Sequence, residues 1–127
     1  MKSKKRNFEI ITNWLPVVLW AGVIFYFSSL KQIKVSDFLF WDFVAKKTAH
    51  VSEYAILYAL LHKATNKKYL VAYFITVIFA STDEFHQSFV PGRTGTPLDL
   101  GFDLSGANIS AYLIWKLKQI LPKKAGK

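Results

Sequence analysis

Cysteine is absent from the 127 residues, which excludes disulfides and thiol chemistry and leaves cysteine usage silent about compartment. Acids are scarce, with eight Asp and Glu against seventeen Lys and Arg, a formal net charge of +9. Charge of either sign is missing from Ile10 to Leu30. At ~1.5 Å per residue that stretch is about 30 Å long, the thickness of a hydrocarbon core. A cleavable signal peptide also joins a basic start to an apolar run, but this run is long for one and lacks an A-x-A-like site, so it reads as a membrane span. Internal repeats and low-complexity stretches are absent too. The length fits one domain, residues 1–127, with no room for a second independent core.

Hydrophobic residues make up 52% of the chain and aromatics 17%, an odd partner for so much positive charge unless the two are segregated. They are. Lys2, Lys4, Lys5 and Arg6 open the chain, and Lys116, Lys118, Lys123, Lys124 and Lys127 close it. Nucleic-acid binders place such residues on a groove-facing stripe of a soluble fold. Here they flank apolar stretches, so we expect no nucleic-acid partner and read the charge as topology signal and contact with anionic lipid.

Two further uncharged runs, Tyr69–Thr82 and Leu104–Trp115, are short, and each reaches spanning length only when extended toward the segment between them. That segment, Pro91 to Pro97, is rich in turn formers and predicts a tight connector. The spacing predicts helices over about 10–30, 46–63, 69–90 and 98–117, an all-α polytopic membrane protein built as a four-transmembrane-helix bundle. Lys31 to Phe43 reads as an outer loop whose aromatics Phe38, Phe40, Trp41 and Phe43 lie in the interface. With the amino terminus in the cytoplasm, inner segments carry twelve Lys and Arg and outer ones five, so the expectation is a multi-pass cell-membrane protein with both termini cytoplasmic.

Under this topology Glu53, Asp83 and Asp103 enter the outer half of three helices at similar depths, roughly 8 to 10 Å. An ionised side chain in hydrocarbon costs at least about 2.5 to 3.5 kcal/mol, so such residues persist only when paired, hydrated or turned inward. Lys47, His50 and Glu53 recur at i, i+3, i+6 with Tyr54 adjacent; Asp83 and Gln87 are i, i+4; Asp99, Asp103 and Gly106 are i, i+4, i+7. Each set projects from one side of its helix. Gly106, Ala107 and Ser110 are small enough to let the fourth helix approach a neighbour closely. Glu84 sits about 100° around the helix from Asp83, which makes Asp83 the inward one.

The order Lys47-x-x-His50-x-x-Glu53-Tyr54, Asp83-Glu84-x-x-Gln87-x-Phe89-x-Pro91-x-Arg93, then Asp99-x-x-x-Asp103-x-x-Gly106 resembles the VanZ-like family of bacterial membrane proteins. Ser110 departs from it, standing where a second small residue, usually glycine, is expected. The resemblance implies a four-helix integral membrane protein of the cell envelope. It also brings an association with resistance to the glycopeptide teicoplanin, without an agreed biochemical activity.

The charged members of the constellation sum to −3 with His50 and His86 neutral. Either some carboxyls are protonated or a cation completes the site, and a divalent metal on His50, Glu53, Asp83 and Asp103 is one open answer, although no established metal spacing is present. The leading expectation is an outward-facing pocket that binds or modifies an amphiphile, a lipid-linked cell-wall precursor or a glycopeptide-like ligand. Lys47, Tyr54, Glu84, His86, Gln87, Arg93, Asp99 and Asp103 would contact that ligand. The alternative is a membrane-embedded hydrolase or transferase in which His50, Glu53 and Asp83 do acid/base or metal-assisted work. A third reading is a scaffold whose charges only lock the helices together.

Overall fold

The computed structural model describes residues 2–29, 39–90 and 97–121, with the backbone alone described at 39 and 97–99. It is all-α. Four helices follow one another: α1 (Lys2–Ser29), α2 (Leu39–Ala64), α3 (Tyr69–Gln87) and α4 (Pro97–Ile120). No strand occurs among the described residues. The first and last helices run further than the apolar stretches suggest, because hydropathy marks a hydrocarbon-matched segment and says little about where helical hydrogen bonding stops.

The largest departure is at α2, which starts at Leu39 and not near 46. Phe40, Trp41 and Phe43 are therefore helical, not loop residues, while Phe38 lies outside the described residues. Asp42, Lys46 and Lys47 break the apolar run, yet they favour the helix. Asp42 sits in the first turn, where the helix dipole welcomes an acid, and its Oδ2 lies 2.7 Å from Lys46 Nζ, one turn on. At the other boundary α3 stops at Gln87 where a helix to 90 is predicted, and Ser88, Phe89 and Val90 form a closing turn through the carbonyls of Glu84, His86 and Gln87.

Each helix buries one stripe. On α2 it is Tyr54, Leu57, Tyr58 and Leu61, on α3 Ala72, Thr76, Ala80, Asp83 and Gln87, on α4 Asp103, Gly106, Ala107 and Ser110, and on α1 Val17, Ile24 and Ser28. α2 is central and packs against the other three, most extensively against α4, whereas α1 and α4 make no contact among the described residues. The α2–α4 seam is tight because Gly106 has no side chain. A Cβ there would run into the carbonyl oxygen of Val51 and stand 3.0 Å from the backbone nitrogen of Ala55.

Polarity is inverted relative to a water-soluble bundle. Asp83, Asp103 and Thr76 have no exposed surface, while Leu70, Phe74 and Phe85 on α3 and Phe89 in the turn after it are 68 to 84% exposed. By length and apolarity, α1 is the one described helix that qualifies to cross a membrane. The uncharged runs of α3 and α4 are shorter, so the four-span expectation is met in the helix count and not in the apolar length of every helix.

Candidate functional site

Helical spacing turns Asp83 and Asp103 fully into the bundle and brings part of the ionisable set around them. Asp83, fully buried, accepts through Oδ2 from the Tyr54 hydroxyl of α2 at 2.8 Å and from Gln87 Nε2, one turn along α3, at 3.1 Å. Gln87 Nε2 also reaches Ser28 Oγ of α1 at 3.3 Å, so the chain Ser28–Gln87–Asp83–Tyr54 ties α1, α3 and α2 together. The other oxygen, Asp83 Oδ1, is buried and accepts no hydrogen bond among the described residues.

The α2–α4 seam carries a second pair. His50 Nδ1 lies 3.2 Å from Oδ1 of the fully buried Asp103, an ion pair whenever the imidazole is protonated. The two pairs belong to one electrostatic region: Asp83, Asp103 and Glu53 all act on the Tyr54 hydroxyl, and Glu53 and Lys47 both act on His50. Glu53 is half-buried, and its backbone carbonyl accepts from Trp20 Nε1 of α1 at 2.9 Å. Glu84 is half-buried, beside the wholly buried Asp83.

His86 is held by α1. Its ring stacks on Phe25 with centroids 4.3 Å apart, and Nε2 stands 2.9 Å from Ser29 Oγ. Lys47 points along the outside of the seam, its ammonium 5.6 Å from the Phe43 ring centre and 5.2 Å from that of Phe102. Those rings meet edge to face and wall an open cleft of about 310 Å³, with Val44, Thr48, Val51 and Ser52 completing it. Arg93 and the side chain of Asp99 lie outside the described residues.

Among the described residues no three His, Cys, Asp or Glu side chains converge closely enough to hold a metal ion. The set His50, Glu53, Asp83 and Asp103 is paired instead, Asp83 with Tyr54 and Asp103 with His50. What the arrangement offers chemically is an imidazole beside a buried carboxylate, a second buried carboxyl with a spare oxygen, and an apolar cleft lined by one ammonium among the described residues.

Several participants were not singled out from sequence. Ser28 and Trp20 lie in or beside a run read only as apolar, although Val17, Ile24 and Ser28 recur at the i, i+7, i+11 spacing of one helix face, with Trp20 alongside. Phe102 had no signal beyond its place next to Asp103.

The fold and the site together define a class: a helical bundle with ionisable groups inside and apolar side chains outside. The chain belongs to the VanZ/LLP1 family, whose model matches residues 2–119. This is a membrane-associated family, in keeping with the long apolar α1. No curated protein and no solved structure matches the chain.

Proposed function

We propose that this is a four-span membrane protein of the bacterial cell envelope, both termini cytoplasmic, whose cleft beside the α2–α4 seam binds an amphiphile from the outer leaflet. The observation that carries the reading is the Lys47 cleft. Its walls are mostly apolar, and among the described residues its one cation, Lys47, lies near two aromatic rings. Such a shape accepts a hydrocarbon chain along Phe43, Val44, Val51 and Phe102 while the ammonium meets an anionic headgroup. Lipid-linked cell-wall precursors have that chemistry. Family membership supports a part in tolerance of teicoplanin.

The spanning of α2 to α4 is supported by the exposed apolar faces, which water would penalise and lipid would not, and by the burial of Asp83 and Asp103 away from them. Extending α2 through its aromatic first turn also gives it ample length for a bilayer. The test is binding of a polyprenyl diphosphate to purified protein by native mass spectrometry. Wild type should retain it, and Lys47→Gln and Phe102→Ala should each lower occupancy severalfold; equal occupancy in all three would remove the cleft from the account. A cysteine at position 94 should label from outside intact cells, and labelling only from the cytoplasm would reverse the topology.

One observation favours a second reading. The His50–Asp103 pair puts an imidazole 3.2 Å from a buried carboxylate, a combination that suits a general base in a hydrolase or transferase acting on the same headgroup. Turnover of the polyprenyl diphosphate by wild type and not by His50→Gln would select it.

A further inference from the structure

The opposite end of the bundle is built from the last turn of α2, the first of α3 and the last of α4. Fourteen residues separate Tyr69 from Asp83, about 21 Å along the helix, so this region is distinct from the cleft and its carboxylates. The α2–α3 turn is closed by paired backbone bonds, Lys67 N–H to the His62 carbonyl at 2.8 Å and Asn66 N–H to the Lys63 carbonyl at 3.2 Å. Asn66 and Lys67 take left-handed conformations, φ 59° and 64°, which turns the chain back so that α3 opens against His62. The rings of His62 and Tyr69 stand edge to face, 4.5 Å between centroids.

That junction holds polar groups with no hydrogen-bond partner among the described residues. His62 is 5% exposed, its Nε2 is buried without a hydrogen-bond partner, and the Tyr69 hydroxyl oxygen is buried in the same condition. The α3 N-terminus has no side-chain cap from Lys68 and no acid in its first turn, so no carboxylate of that turn answers the positive end of the helix dipole. Lys118 of α4 lies over the Tyr69 ring at 5.1 Å, and the charges of Lys118 and Lys67 both act on His62. No Asp or Glu occurs between Glu53 and Asp83 or after Asp103, and Glu9, the single acid of α1, is exposed. Three helices thus bring donors and positive charge to one place with no anion of their own.

We propose that this junction is a phosphate-binding site, in which His62, the Tyr69 hydroxyl, the first N–H groups of α3 and the ammonium groups of Lys67 and Lys118 receive the oxygens of a phosphate or phosphomonoester. A tetrahedral dianion accepts from all of these donors at once, and a helix N-terminus is a natural seat for it. The same chemistry is carried by free phosphate and by a phospholipid headgroup at the bilayer surface. The site does not rest on the amphiphile reading of the cleft.

The test uses the full chain in a neutral detergent, titrated with dioleoyl phosphatidic acid and separately with inorganic phosphate. It follows the His62 imidazole resonances by NMR and affinity by thermal shift. Saturable binding that moves the His62 signals is expected. Tyr69→Phe, which removes one oxygen and keeps the ring, should weaken it about tenfold, and Lys118→Gln about fivefold. Lys116→Gln removes the same charge about 200° around α4 and should change affinity less than twofold. Saturation by inorganic phosphate would mean that the ion alone suffices, and saturation by the lipid alone would identify a headgroup site. The proposal is overturned if neither probe saturates, if the His62 signals stay fixed, or if Lys116→Gln costs as much as Lys118→Gln.

Discussion

Replacing Gly106 by alanine should do far more damage than a methyl group suggests. The new Cβ would meet main-chain atoms, the Val51 carbonyl oxygen and the Ala55 nitrogen, which cannot swing aside as a flexible side chain would. α4 must therefore back away from α2. Alanine gains about 1 kcal/mol of helix propensity over glycine, and overpacking a tight contact costs about 1 to 3 kcal/mol, at the high end where the obstacle is backbone. The net is a loss of about 2 kcal/mol. Gly22 supplies the control, since a Cβ there meets nothing within 4 Å. Gly22→Ala should be neutral or gain up to about 1 kcal/mol, so the two variants should differ by about 2 to 3 kcal/mol. Reversible unfolding in mixed micelles measures both. The seam also positions Asp103, one turn before Gly106, so Gly106→Ala should disturb the His50 resonances as well. If Gly106→Ala proves as stable as Gly22→Ala with the His50 signals unmoved, the close approach of α2 and α4 is wrong.

Tyr54→Phe removes the 2.8 Å bond to Asp83 inside the bundle and should cost about 2 kcal/mol in the same unfolding assay; a loss below about 0.5 kcal/mol would mean that the bond is not made. Ser28→Ala, at the long 3.3 Å end of the Gln87 amide, should cost about 1 kcal/mol or less. Trp20→Phe deletes the indole donor to the Glu53 carbonyl, and hydrogen exchange at the turn around Glu53 should rise while the rest of α2 keeps its protection.

Much of this was legible in the sequence because hydrocarbon is a strict solvent. The uncharged run in α1 marked a helix on length alone, and the i, i+4 step from Asp83 to Gln87 put both on one face, where they share a hydrogen bond. The α2 start was missed because Asp42 and Lys46 lower hydropathy, although their i, i+4 spacing is itself a helix signal. Pairing between helices was beyond reach. That Tyr54 would meet Asp83, that His50 would meet Asp103, and that Ser28 would join through Gln87 depend on helix rotation, which a single sequence does not encode locally. His86 illustrates the limit. Its spacing allowed a place in the site, and Phe25 and Ser29 of α1 hold it.

The inverted bundle can be tested most directly by single-cysteine spin labels walked along α3 from Leu70 to Gln87 in lipid vesicles, a clean experiment in a chain with no cysteine of its own. Oxygen accessibility should oscillate with the helical period, with maxima at Leu70, Phe74, Ile78 and Phe85 and minima at Ala72, Thr76, Ala80 and Asp83. Maxima for a water-soluble relaxant on the Leu70–Phe74–Phe85 face would contradict the account, because that face would then lie in water and the buried carboxylates would need another explanation.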